Sequence, residues 1–197
     1  RFLAAVGSAI ALGGISGLSA GREKSLNTKP IPGTGESLAV IGMGSWITFN
    51  VGSDPVLRDQ RTEVLRAFFE SGGELIDSSP MYGSSEAVLG YGLAKLGYPA
   101  DLFAATKVWT PLGRDGRSQI AESRQLWGVR RFDLLQVHNL VAWREHLETL
   151  FAMKEEGKLR YVGVTTSHGR RHEELEVIMR SQPIDFVQAT YNAIDRE

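Results

Sequence analysis

From residue 37 onward, short apolar runs of β-forming residues alternate with longer stretches whose apolar positions recur every three to four residues. The short runs are LAVIG (38–42), ELID (74–77), LFAATK (102–107), DLLQVH (133–138), RYVGVT (160–165) and DFVQAT (185–190). Between them, Leu57, Val64, Leu65 and Phe68 are spaced for one helix face, as are Leu89, Leu93 and Leu96, and again Trp143, Leu147, Leu150 and Phe151. Gly72, Gly97 and Gly157 follow these stretches, where a helix end favours a residue that tolerates positive φ. Apolar strands separated by amphipathic helices specify βαβ units around a parallel sheet, an α/β fold.

Two α/β architectures compete, and the polar residues decide between them. Asp77, Lys107, His138, Thr165 and Gln188 stand at successive strand ends, between 23 and 31 residues apart, about one βα unit each time. Polar residues gathered at the carboxyl ends of consecutive strands are the mark of a (β/α)8 TIM barrel. A doubly wound sheet would carry a phosphate-binding G-x-G-x-x-G after its first strand. Here the first strand leads into Gly42-Met43-Gly44-Ser45-Trp46, which lacks the third glycine and opens no helix. The expectation is an incomplete barrel of about six βα units over residues 37–197.

Four ionisable groups then converge. Asp77 ends the second strand, Tyr82 lies in the loop after it, Lys107 ends the third strand and His138 the fourth. A phenol ordinarily titrates near pH 10, too weak an acid for neutral solution. A neighbouring ammonium would lower that value, and a carboxylate would hold the ammonium charged and in place. Such a tyrosine can protonate a developing alkoxide, while a neutral histidine orients a carbonyl oxygen. Each residue alone has a plainer role: Asp77 as a loop cap, Tyr82 as packing over the barrel mouth, Lys107 or His138 as a satisfied strand-end side chain. It is the set of four that points to chemistry.

These motifs, in this order, resemble the aldo-keto reductases. IGMGSW is similar to that family's first-strand motif, IDSSPMYGSSEAVLG to its second, AATKVW to its lysine strand, FDLLQVHNL to its histidine strand, GKLRYVGVTTS to its fifth and VQATYN to its sixth. The resemblance implies a (β/α)8 barrel that interconverts aldehydes or ketones and alcohols by hydride transfer with NADP(H), NAD(H) being the alternative. It implies Tyr82 as general acid assisted by Lys107 and Asp77, with His138 orienting the carbonyl. It further implies Gly44, Ser45, Thr165, Thr166 and Gln188 around the cofactor, and Trp46 and Trp109 at the substrate pocket, where packing at the barrel mouth is the alternative. Gln188 matches the glutamine that holds the nicotinamide carboxamide. Thr166 puts a shorter hydroxyl where the family has an amide. The family's last two βα units, whose loops grip the cofactor's phosphates, would lie beyond Glu197, so the chain is expected to be part of a longer protein. A non-catalytic nicotinamide-binding subunit on the same barrel is the alternative function, but it would have no need of an acidified phenol.

Composition excludes other classes. A formal net charge of -1 leaves no electrostatic footprint for nucleic acid, and a small-molecule substrate is the expected partner. The chain has no cysteine, so disulfides, thiolate nucleophiles, cysteine-built zinc sites and lipid attachment are all excluded. Four scattered histidines (138, 146, 168 and 172) argue against a histidine-built metal centre and against a metal-dependent hydrolase. Residues 1–22 open with RFLAAVGSAIALGGISGLSA, one positive charge before a short apolar, small-residue run. That is the design of an export signal, and Arg1-Phe2-Leu3 is similar to the tail of a twin-arginine signal. A periplasmic destination follows, with an N-terminal membrane anchor as the alternative. Residues 23–36 read as an extended linker.

Overall fold

A computed structural model describes residues 26–194; the leader and the start of the linker lie outside them. Six parallel strands form one curled sheet in strict sequence order: β3 (Met43–Gly44), β4 (Leu75–Asp77), β5 (Phe103–Val108), β6 (Phe132–Val137), β7 (Leu159–Thr165) and β8 (Phe186–Gln188). Helices α1 (Pro55–Glu70), α2 (Ser85–Lys95), α3 (Gly116–Trp127), α4 (Trp143–Glu155) and α5 (His172–Ser181) each connect one strand to the next. The architecture is the expected incomplete (β/α)8 barrel.

The strands β5 to β7 are buried on both faces, which is why they read as almost unbroken apolar runs. Their alternation sorts two cores. Ala104, Val108, Leu135, Val137, Val162 and Val164 face outward to the helices, with Leu65, Leu89, Leu93, Leu147, Leu150 and Trp127. Phe103, Ala105, Leu134 and Tyr161 face inward and form a smaller cluster at the amino-terminal end of the sheet. One position further along the same inward rows, β5 carries Lys107, paired in register with Gln136 of β6.

The start of the fold differs from the sequence expectation. Residues 28–30, read as linker, form β1 (Thr28–Pro30), which pairs antiparallel with β2 (Ser37–Ala39). The first barrel strand is therefore Met43–Gly44 rather than the whole LAVIG run. That run contributes to the hairpin first, and Val40 and Ile41 emerge exposed. The hairpin closes the sheet's amino-terminal end: Ile31 is buried against Phe103, Ala105, Leu134 and Tyr161. The Thr34 hydroxyl lies 2.8 Å from the Tyr161 hydroxyl, and Glu36 pairs with Arg160, which also reaches Asp133 at 2.8 Å.

Local signals explain the helix boundaries. Asp54 caps α1, its Oδ1 accepting from the backbone N–H groups of Val56 (2.9 Å) and Leu57 (3.1 Å), with Pro55 at the first helical position. Within α1, Leu65 faces the core as expected, but Val64 is exposed and Thr62 takes the buried place. The buried Thr62 hydroxyl is satisfied by the Arg58 carbonyl at 3.0 Å, so its polarity does not oppose burial. A cap for α2 from Ser84 is absent: its hydroxyl instead donates to Asn50 Oδ1 at 3.0 Å and accepts from Gly52 N–H at 2.7 Å, pinning the β3–α1 loop.

Helices α2 and α3 touch through a glycine. A Cβ on Gly90 would stand 1.9 Å from the Leu126 carbonyl oxygen, a backbone atom that cannot rotate away. Alanine ordinarily stabilises a helix interior over glycine by up to about 1 kcal/mol. At this position the sign reverses: Gly90→Ala is expected to lower stability by about 1–3 kcal/mol through overpacking, read as a lower thermal midpoint.

Candidate active site

The carboxyl ends of β4, β5, β6 and β7 and the loops that follow them bring the expected residues together. At the centre is an ion pair: Lys107 Nζ donates to Asp77 Oδ2 at 2.5 Å and to the Ser78 carbonyl at 2.8 Å. Lys107 is 1% exposed and Asp77 9%, so both charges are largely removed from water. The register explains the contact, since Asp77 pairs with Ala105, two residues before Lys107 on the adjacent strand.

Tyr82 stands over this pair, with Lys107 Nζ 5.3 Å from its ring centre. The ring packs edge-on to His138 at 5.8 Å and lies 6.4 Å from Trp46, both measured between ring centres. His138 is buried, and its Nδ1 shares a 2.8 Å hydrogen bond with the Ser79 hydroxyl. The histidine begins a 3-10 turn, and Asn139, Leu140 and Ala142 after it adopt left-handed φ of 52°, 54° and 45°. Side chains rarely accept that conformation without support. The support comes from the next loop: Arg171 donates to the carbonyls of Asn139 (2.8 Å) and Leu140 (3.1 Å), and the Asn139 N–H donates to Thr165 Oγ1 (3.0 Å).

The other expected residues divide. Trp46 is 59% exposed and Trp109 41%, both on loops at this face. The backbone of Trp109 is held from both sides by the Gln119 amide, at 2.6 and 2.8 Å. Gly44 ends β3, with open space where a Cβ would stand. Ser45 is fully buried and spends its hydroxyl on Ser78 Oγ at 2.8 Å. Gln188 donates its amide to Asp77 Oδ2 at 3.3 Å. The Thr166 hydroxyl and Asn139 Oδ1 are buried without a partner among the described residues. Sequence reasoning missed Gln136, whose amide donates to Asp77 Oδ1 at 3.3 Å, and Ser79, the partner of His138. Gln136 lies on β6 two residues before His138, and strand periodicity over the run expected at 133–138 would put both on the same face.

One electrostatic expectation is corrected. Lys107 does not draw the Tyr82 phenol down; burial, and then the Asp77 charge, push it up to about 12. The ammonium is matched by a carboxylate at 2.5 Å, so little of its field is left for the phenol. Burial also lowers Lys107, against the pull of Asp77 and Glu86. Burial and the Lys107 charge push His138 down to about 4. At neutral pH the phenol is therefore protonated and the imidazole neutral.

The histidine makes stability depend on pH. Its folded value lies below the ordinary 6.5, so between about 6.5 and 4 the unfolded chain binds the proton more readily. Its contribution is complete above that window and is lost as the pH falls through it. Replacing the ring, as in His138→Gln, is expected to flatten this part of the stability profile, measured as denaturation midpoints from pH 7 to pH 4.

A model described as the aldo/keto reductase family matches residues 40–197. The aldo-keto reductase YhdN of Bacillus subtilis is 30% identical over 185 residues, covering 85% of this chain and 54% of that protein. Among solved structures, a thermostable aldo-keto reductase, Tm1743, in complex with the inhibitor epalrestat superposes with a TM-score of 0.72. It is 26% identical, over 86% of this chain and 64% of that one. An aldo-keto reductase from Klebsiella pneumoniae in complex with NADPH gives a TM-score of 0.64 at 22% identity, over 80% of this chain and 55% of the other. The chain spans about half the length of the curated relatives it matches. On its fold, the order of its strand-end residues and the family match over nearly all the described residues, the chain belongs to the aldo/keto reductase family.

Proposed function

We propose that this protein reduces aldehydes or ketones to alcohols, and catalyses the reverse oxidation, with a nicotinamide cofactor, NADP(H) being favoured. The observation that carries the reading is the buried Lys107–Asp77 pair, 2.5 Å apart, beneath a protonated Tyr82 and beside a neutral His138. A non-catalytic subunit has no use for two desolvated charges arranged under a phenol, because such a pair is costly to bury.

The residues suit the cofactor. The unpaired Thr166 hydroxyl and Asn139 Oδ1, next to Thr165, offer the donor and acceptor that a carboxamide requires. Thr165, Thr166 and Gln188 are the residues that would hold it. When bound, the reduced nicotinamide supplies the hydride. The NADPH complex of the Klebsiella relative supports the phosphorylated form.

The chain's own share is proton transfer and orientation. A carbonyl oxygen set between Tyr82 and His138 can accept hydrogen bonds from the phenol and from an imidazole N–H. With Nδ1 accepting from Ser79, the Nε2 of His138 carries that hydrogen. As charge develops on the oxygen, the Tyr82 O–H bond breaks and the proton moves to it. The phenolate left behind faces Lys107, 5.3 Å from the ring centre, which stabilises it. A phenol pushed up to about 12 is a reluctant donor, so the driving force rests on the basicity of the alkoxide and on that ammonium. Trp46 and Trp109, exposed at the rim, supply apolar walls.

Removing the proton tests this directly. Tyr82→Phe is expected to lower kcat for carbonyl reduction about 10²–10⁴-fold while leaving NADPH fluorescence quenching in place; unchanged turnover refutes the mechanism. The apolar leader, residues 1–20, supports export of the loaded protein by the twin-arginine route. A reporter fused behind that leader is expected to reach the periplasm, and one that stays in the cytoplasm refutes the export reading.

A further inference from the structure

Glu86 stands in the first turn of α2, where its charge would be expected to face water and complement the helix dipole. Instead it is 2% exposed. Its carboxylate accepts three hydrogen bonds from two neighbouring elements. Thr106 of β5 donates to Oε1 at 2.6 Å, Trp127 of α3 donates Nε1–H to the same oxygen at 3.1 Å, and Ser123 of α3 donates to Oε2 at 2.8 Å. A buried carboxylate is expensive unless it performs a task or is fully solvated by donors. The three donors address the solvation, and its place in the chain points to the task.

Thr106 is the residue before Lys107, and strand alternation sends the two to opposite faces of β5. Tyr82 lies four residues before Glu86, in the turn that leads into α2, and the Ser85 N–H donates to the Tyr82 carbonyl at 3.1 Å. One carboxylate therefore bonds the strand that presents Lys107 and sits in the first turn after the loop that presents Tyr82. It also lies behind the lysine, on the side of β5 away from Asp77.

We propose that Glu86 is a positioning residue of the active site: its ionised carboxylate fixes the Tyr82 loop against the Lys107 strand and adds a second negative charge behind the lysine. This rests on the reductase reading for its catalytic consequence but not for its electrostatic one. The charged groups facing Lys107 are Asp77 from β4 and Glu86 from α2, with Tyr82 above and His138 from the end of β6 beside it. Asp77 sets the direction of the ammonium by contact; Glu86 acts through the strand, holding Lys107 charged against the burial that lowers it. Burial also raises Glu86 itself, while its three donors and the Lys107 charge oppose that rise, so the two buried charges depend on each other.

The test separates charge from shape. Glu86→Gln keeps the volume and can keep the hydrogen bonds, because the Ser and Thr hydroxyls can reverse their roles, but it removes the charge. Glu86→Asp keeps the charge and withdraws it by one methylene. Titration of Lys107 in the intact protein, followed by NMR with ¹⁵Nζ/¹³Cε-labelled lysine, is the primary readout and needs no activity. In Glu86→Gln the lysine is expected to titrate about one pH unit lower, and in Glu86→Asp close to wild type. The alkaline limb of kcat should move with it in Glu86→Gln, with KM little changed. A Glu86→Gln variant that is less heat-stable but titrates Lys107 as wild type does overturns the proposal, since that is what a packing role alone predicts. Where neither variant folds, the wild-type ¹³C carboxyl resonance of Glu86 decides: ionised at pH 7 supports the proposal and protonated overturns it. If wild type proves not to reduce carbonyls, the reductase reading fails and the Lys107 titration still decides the role of Glu86.

Discussion

The structure is arranged around one lysine that must remain charged where water does not reach it. Taking an ammonium and a carboxylate out of water costs several kcal/mol per ion after relaxation, and attraction alone often fails to offset that. Here both ions have further partners. Lys107 has Asp77 and the Ser78 carbonyl, while Asp77 has in addition the amides of Gln136 and Gln188. These partners come from β4, β6 and β8 and from the loop after β4, so the pair is stable only if four strands hold their registers. The polar centre thereby specifies the curvature of the sheet, and the apolar layers outside it supply the driving force for that curvature to form.

The candidate site and the solvated ion pairs occupy opposite ends of the sheet. At the amino-terminal end, Arg160 joins Glu36 of the hairpin to Asp133 of β6, and Lys154 holds Asp185 at 2.6 Å. These pairs are partly solvated and tie the hairpin, β6, β7 and α4 together. At the carboxyl end the charges are buried and unequal in environment, with a phenol pushed up and an imidazole pushed down. Backbone strain gathers at that end too, in Asn139, Leu140 and Ala142, because His138 must leave its strand sharply enough to face Tyr82. The cost is carried by Arg171, whose guanidinium bonds the strained carbonyls from the neighbouring loop. A cavity of about 470 Å³ between α3 and α4, lined by Arg117, Ile120, Arg124 and Met153, touches none of the residues of the candidate site.

Much of this was legible in the sequence because period and position carry it. The six strands, their order and the four ionisable groups follow from where polar residues interrupt apolar runs. The first strand was misplaced because LAVIG is apolar throughout, and periodicity cannot tell a hairpin arm from a barrel strand when both are short. Val64 is apolar and spaced for the inward face, whereas Thr62 takes the core by satisfying its hydroxyl on its own helix. The acidity of Tyr82 departs from the sequence expectation for a deeper reason: residue types name the charges present, but not how completely one charge is spent on another. Only the 2.5 Å separation of Lys107 from Asp77 reveals that.

Glu86 marks the boundary of what sequence can say about such a site. In the stretch IDSSPMYGSSEAVLG it is indistinguishable from an ordinary first-turn glutamate, since the helix pattern alone does not settle whether that position meets water or the β5–α3 seam. Its three donors lie 20, 37 and 41 residues away. Nothing local selects them, and each taken singly is an unremarkable Thr, Ser or Trp. The same holds for Gln136 and Ser79, which serve Asp77 and His138 across a separation of 59 residues in each case. The ionisable residues of the candidate site recur at or just after strand ends and can be read from spacing. The residues that hydrogen-bond around those groups are chosen by packing, and they become visible only when the fold brings their partners to them.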